Sequence, residues 1–174
     1  MDLWWEPLSE FDGGALEAKH AYRLTGDDLA SAEDARVWAE VKAVIDRFVA
    51  ADRYLIATPM WNFGVPHRLK QHVDVTAQPC LAFSFSADGV PTGHVTGRPA
   101  TVIAARRGVY GGDSRLAAMD HQMPRPETML RFIGIEDISK VLIEPTIGTP
   151  EDVATARAVA MAEARALAAR RFAA

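Results

Sequence analysis

The stretch Tyr54-Leu-Ile-Ala-Thr-Pro-Met-Trp-Asn-Phe-Gly64 constrains the fold more than any other part of the chain. It begins as a short apolar run with no polar alternation, which is how a parallel strand covered on both faces reads. Pro59 breaks the run, aromatic and amide-bearing residues follow, and from Val65 onward, Pro66 included, the pattern is that of a helix. Strand, loop and helix in that order belong to a parallel α/β sheet, where ligands lie beyond the carboxyl ends of the strands. The loop from Pro59 to Gly64 is therefore where a binding site is expected.

The rest of the chain repeats the alternation. Ser31-Ala-Glu-Asp34 resembles a capping arrangement and predicts a helix start. Val37, Val41, Val44, Ile45, Phe48 and Val49 then recur at spacings of three and four, one stripe suited to packing against a sheet. Asp52 to Thr58 is the first strand, and Pro66 to about Ala77 a helix whose amino end faces the Trp61–Gly64 loop. There its unpaired amides and partial positive charge suit an electron-rich ligand edge. Ala82 to Ser86 with the turn Ala87–Pro91 predicts an extended excursion or short hairpin. Thr101 to Ala105 is a second buried strand, ending in Arg106-Arg-Gly-Val-Tyr-Gly-Gly112. Its glycines permit backbone conformations and close approaches that side chains forbid. Met129 to Ile133 close a helix capped by Gly134, and Lys140 to Glu144 form a third strand. Thr149-Pro-Glu-Asp152 opens a terminal helix running to about Arg171. The first 14 residues, and the stretch from Tyr22 to Asp28, are expected to be irregular. The apolar load of Trp4, Trp5, Leu8 and Phe11 should pack on the domain or on a second subunit.

Composition narrows the function classes. A chain of 174 residues is one domain's worth, residues 1–174, and a formal charge of −4 gives no electrostatic reason to bind nucleic acid or an anionic membrane. Cys80 is the only cysteine, which excludes an intramolecular disulfide and a cysteine-based zinc site. His20, His67, His72, His94 and His121 lack ligand spacing, so no metal site is expected. His67 and His72 are read as solvated helix residues. Ser84 and Ser86 lack a nucleophile elbow, there is no Walker-type loop, and Asp27-Asp28 and Glu33-Asp34 read as helix-start charges. No leader and no apolar run of about 20 residues is visible, so a cytoplasmic location is expected.

The ordered series Pro59-Met-Trp-Asn-Phe63, Pro66, Leu69-Lys70, Asp74, Phe83, Gly89, Gly97, Arg106-Arg-Gly-Val-Tyr110 and Phe132-Ile-Gly-Ile135 resembles the flavodoxin-like FMN-dependent NADH azoreductases and quinone reductases. The resemblance implies a three-layer αβα fold with a parallel sheet, FMN as cofactor, NAD(P)H as co-substrate and a quinone or azo compound as acceptor. It implies a ping-pong cycle in which no side chain need be an acid or nucleophile, and a homodimer with sites at the subunit interface. Phe83, Phe85, Trp4 and Trp5 are candidates for that interface or for the acceptor site. Met60, Trp61, Asn62 and Phe63, flanked by Pro59 and Gly64, would lie along the isoalloxazine ring, with Asn62 on its polar edge. Arg106, Arg107, Gly108, Val109 and Tyr110 would meet the pyrimidine side. Trp61 stands where the family usually has tyrosine, Arg107 where it tends to have glycine, and Ala105 where it tends to have serine or threonine.

Such proteins open with a strand, a serine-containing loop around the FMN phosphate, a helix and a second strand, and this chain begins roughly where those elements end. The expectation is an N-terminally truncated flavodoxin-like domain with about three core strands. Tyr54–Thr58 is then an edge strand, a pairing hazard unless covered. The N-terminal segment, another subunit, or residues upstream of an incorrectly chosen start codon could cover it, the last being the preferred reading. The alternative function is a structural or oligomerising protein that no longer binds FMN.

Overall fold

Each run read as a strand forms one in the computed structural model, which describes residues 1–26 and 31–172. The chain divides into two compact units, and each is built on its own core. The first comprises Met1–Asp52, His67–Arg98 and Met129–Glu136; the second comprises Arg53–Pro66, Pro99–Thr128 and Asp137–Ala174.

Helices dominate the first unit: α1 (Gly13–Thr25), α2 (Ala32–Val49) and α3 (His67–Thr76). Ser31 caps α2 as its sequence predicts, accepting from the Asp34 amide at 3.0 Å, with Glu33 and Asp34 in the first turn. Asp27 and Asp28 lie outside the described residues. The α2 stripe meets α1: Ala15 and Ala18 of α1 pack with Trp38, Val41 and Ile45 of α2 and Val75 of α3 in one buried cluster. Tyr22, expected in a loop, instead belongs to α1 and stacks on Trp38 with ring centroids 5.0 Å apart. The reason is local as well as tertiary. Asp12 caps α1 by accepting from Ala15 N, and two alanines on one face let a tryptophan approach closely. Leu8 is buried and Phe11 packs on the same cluster, as expected, whereas Trp5 is 86% exposed. The N-terminal segment is tied down by Arg68, which donates to Leu3 O at 2.7 Å, and by Arg47, which pairs with Glu6 at 2.8 Å.

The expected hairpin also falls in this unit, as β2 (Phe83–Phe85) paired antiparallel with β3 (Pro91–Gly93). Phe83 stacks on Phe132 at 4.5 Å. Gly93 is obligatory there, because a Cβ would lie 2.2 Å from the backbone of Ile133 and Gly134.

The second unit holds the sheet. β1 (Tyr54–Pro59), β4 (Ala100–Ala105) and β5 (Ile138–Ile143) are parallel in the order β1-β4-β5. Register runs Tyr54↔Ala100 to Pro59↔Ala105, and Ala100↔Ile138 to Ala105↔Ile143, so the three carboxyl ends are level. α5 (Pro150–Phe172) buries Ala160 and Leu167 against Val141 of β5. At its far end Arg171 grips Asp137 with two bonds of 2.7 and 2.6 Å and Ser139 with one of 2.8 Å. β1 is an edge strand among the described residues, and its Leu55 is 72% exposed. The helix read as ending at Gly134 is α4 (Pro124–Phe132). No helix of the described residues is long and apolar enough to cross a membrane.

Candidate functional site

Level strand ends bring the two candidate loops side by side. Beyond β1, the Met60 amide still bonds Ala105 O of β4 at 2.9 Å. Trp61 and Gly64 then exchange two backbone bonds of 2.9 Å each, which leaves Asn62 and Phe63 as a two-residue tip. Such a tip needs positive φ at both positions. Asn62 has φ 48 and Phe63 φ 67. Asparagine tolerates this region, but for a bulky side chain it costs about 1–2 kcal/mol. Strain of that kind concentrates at binding and catalytic sites. The tip displays its aromatic rings: Trp61 is 46% and Phe63 45% exposed, and the Asn62 side chain is exposed between them.

Beyond β4 the two adjacent arginines part company. Arg107 is exposed, while Arg106 is only 2% exposed and points into the protein. Its Nη1 donates to Asp120 Oδ2, and its Nε stands 3.3 Å from Glu144 Oε2. The same Glu144 oxygen accepts the Tyr110 amide at 2.8 Å. The backbone of Arg106 is also committed, since its N–H bonds Ile143 O at 3.0 Å and its carbonyl accepts from Thr146 N at 2.9 Å. A buried guanidinium needs such neutralisation, because leaving one charge unpaired inside a protein is strongly destabilising. The accessible part of this loop is thus Arg107, Gly108 and Val109, with the Tyr110 ring buried beneath the guanidinium at 5.7 Å.

A third segment locks the other two. Asp120 Oδ1 accepts from the amides of Gln122 and Met123 at 3.0 and 3.2 Å, at the start of α4. The fully buried Gln122 donates to Thr58 O at 3.1 Å, and the His121 amide donates to Phe63 O at 3.0 Å. The strained tip is therefore held from below. Pro59 and Met60 lie beside Ala105, so the expected loop to Gly64 and the expected segment Arg107, Gly108 and Val109 leave adjacent strand ends. Asp120, Gln122 and Glu144, which hold them, were not foreseen; an acid directly after β5 and an Asp opening α4 were their only signals. Elsewhere, a depression of about 460 Å³ on α5 is lined by one helix alone, with Arg157 its one charged group. No cluster of three or more metal-ligating side chains occurs among the described residues.

A family model described as a flavodoxin-like fold matches residues 1–168. The chain belongs to this flavodoxin-like family. Within it, the FMN-dependent NADH:quinone oxidoreductase of Desulfotalea psychrophila is 42% identical over 147 residues, covering 84% of this chain and 68% of the relative. That of Nitratidesulfovibrio vulgaris is 41% identical over 169 residues, covering 97% and 79%. A solved FMN-dependent NADH-azoreductase from Bacillus anthracis in complex with FMN superposes with a TM-score of 0.79 at 25% identity, covering 95% of this chain and 78% of that one. A second Bacillus anthracis azoreductase, at 23% identity and TM-score 0.87, agrees in fold.

An isoalloxazine ring is flat and apolar on its faces and polar along one edge. The exposed rings of Trp61 and Phe63, the Asn62 amide between them, and the open backbone at Gly108 and Val109 fit that description. Arg106 does not contribute a ring contact from its side chain in this arrangement, because its guanidinium is already enclosed by two carboxylates.

Proposed function

We propose that this flavodoxin-like chain is an FMN-dependent NADH oxidoreductase that reduces quinones or azo compounds. The observation that carries the reading is the strained Trp61–Gly64 tip at the carboxyl end of β1, held by the end of β4 and by His121 and Gln122, and displaying two aromatic rings around an exposed amide. Its relatives at about 40% identity, named FMN-dependent NADH:quinone oxidoreductases, support the same activity.

When bound, FMN supplies the redox chemistry, accepting two electrons from NADH and passing them to the acceptor. The protein's part is to bind and orient. Trp61 and Phe63 give the ring a stacking surface, Asn62 hydrogen-bonds its polar edge, and the backbone of Arg107, Gly108 and Val109 faces its pyrimidine side. No side chain need act as acid or nucleophile. The chain works as a single domain, since neither unit is continuous in sequence. It acts in the cytoplasm as a homodimer on small-molecule acceptors, without nucleic acid or membrane partners; the exposed Phe85 and Trp5 are its dimer-face candidates.

The test is direct. Purified protein supplied with FMN should turn yellow, retain flavin through gel filtration, and oxidise NADH in the presence of a quinone or an azo dye. Colourless protein that takes up no added FMN would sink the reading and favour a structural role for the chain.

A further inference from the structure

Two carboxylates surround Arg106, and a buried cation needs only one. Asp120 makes the direct hydrogen bond to the guanidinium. Glu144 does something else: its Oε2 sits off hydrogen-bond geometry toward Arg106 Nε and instead takes the Tyr110 amide at 2.8 Å. Tyr110 closes the segment whose exposed part is Arg107–Val109. The other Glu144 oxygen lies where Gly111 passes so closely that a Cβ there would come within 3.1 Å of it. The carboxylate thus pins the loop's far end at Tyr110, while Arg106, fixed through Ile143 O and Thr146 N, pins its near end. The carboxylate stands on the residue immediately after β5, so the loop is anchored where the connection to α5 leaves the sheet.

We propose that Glu144 is a positioning residue that presets the flavin-facing backbone of Arg107–Val109, acting through the hydrogen bond it accepts from Tyr110 N and not through its charge. This rests on the FMN reading above. A preset loop binds a rigid ligand without first having to be ordered, so losing the bond weakens binding while adding nothing to the list of direct contacts.

The experiment compares wild type, Glu144→Gln and Glu144→Ala as full-length apoprotein. FMN affinity is read from quenching of flavin fluorescence, and exchange of the Tyr110 amide by NMR without flavin. Glutamine keeps an oxygen for the amide and discards the charge. Glu144→Ala should weaken FMN binding by about tenfold and speed Tyr110 exchange, the scale of one lost hydrogen bond. Glu144→Gln should stay within about threefold of wild type with the amide still protected. If glutamine is as damaging as alanine, the charge matters and the proposal fails. If alanine binds FMN like wild type, it fails as well, with the flavin reading intact. Wild type that binds no FMN overturns that reading and this inference together, whereas the Tyr110 exchange rates still show whether the bond exists. Should Glu144→Ala not fold, Glu144→Asp keeps the charge but withdraws the acceptor from Tyr110 N by one methylene and should also weaken FMN binding; unchanged affinity overturns the proposal.

Discussion

At the scale of single residues, the site is where the chain accepts local cost. Phe63 holds φ 67 and is 45% exposed, so it gains little packing for a conformation that disfavours it. Phe63→Gly removes a strain of about 1–2 kcal/mol and adds a backbone-entropy penalty of about 0.5–1 kcal/mol. The folded protein should therefore lie between wild-type stability and about 1.5 kcal/mol above it, by urea titration, while FMN affinity falls. A variant that loses stability and keeps its flavin would contradict the assignment. His72 carries a different cost. Sequence spacing alone suggested a solvated histidine, but it is half-buried on α3 with its ring against Phe48 at 5.8 Å. Burial first, then the positive charges of Arg47 and the N-terminus, hold its pKa below the ordinary histidine value. A depressed folded-state pKa means the unfolded chain protonates first as pH drops. The neutral His72 thus contributes stability that is complete above about pH 6.5 and is lost as pH falls through the lower folded-state value. Melting temperatures should drop below pH 6.5, and His72→Gln should flatten that part of the profile; an unchanged slope would show that other groups set it.

At the scale of elements, what the sequence made legible depended on whether the cause was local. α2, α5 and all three strands of the sheet announced themselves through caps and apolar runs, because a Ser31 or Thr149 cap and a Tyr54–Thr58 run act within a few residues of where they stand. α1 was hidden, since its buried face is mostly alanine and becomes a face only when Trp38 and Val41 arrive against it. The site divided in the same way. The aromatic tip after β1 and the glycine loop after β4 could be read from composition and resemblance. The brace could not, because Arg106, Asp120 and Glu144 come from three separate segments and each looks like an ordinary surface charge in isolation. A second long-range link of that type closes the end of α5. Arg171 makes a bidentate contact with Asp137 and a third bond to Ser139 at the start of β5. Bidentate geometry lifts such a pair above the usual surface ion pair, although Asp137 remains largely solvated. Arg171→Ala should lower the melting temperature by about 2–4 °C, the consequence of roughly 1 kcal/mol in a chain of this size. Arg170→Ala, at an exposed neighbouring position, should leave it unchanged, and equal effects would mean that the clamp contributes nothing.

At the scale of the whole molecule, the sheet order β1-β4-β5 leaves β1 at an edge among the described residues, and that strand leads directly into the candidate site. Parallel sheets of flavodoxin-like proteins bury their strands on both faces, and the composition of β1 reflects this: Leu55 and Ile56 were written for covered positions. Yet Leu55 is 72% exposed and Ala57 is exposed as well. An apolar edge strand without a charge, a bulge or a covering element is a template for pairing with another chain. Natural edges use lysine to prevent this, and none stands between Arg53 and Pro59. Concentrating the protein should therefore drive association beyond its smallest species, seen as a rising mean mass in light scattering. Leu55→Lys should suppress that rise while moving stability by less than about 0.5 kcal/mol, since an exposed side chain has little burial to lose. FMN binding provides the contrast. Leu55 lies four residues before Pro59, and the tip that follows is fixed by Met60, Gln122 and His121, so the variant should hold flavin as well as wild type does. A mass that rises equally in both proteins would show that association runs through another surface, with the exposed Phe85 hairpin the next to be changed.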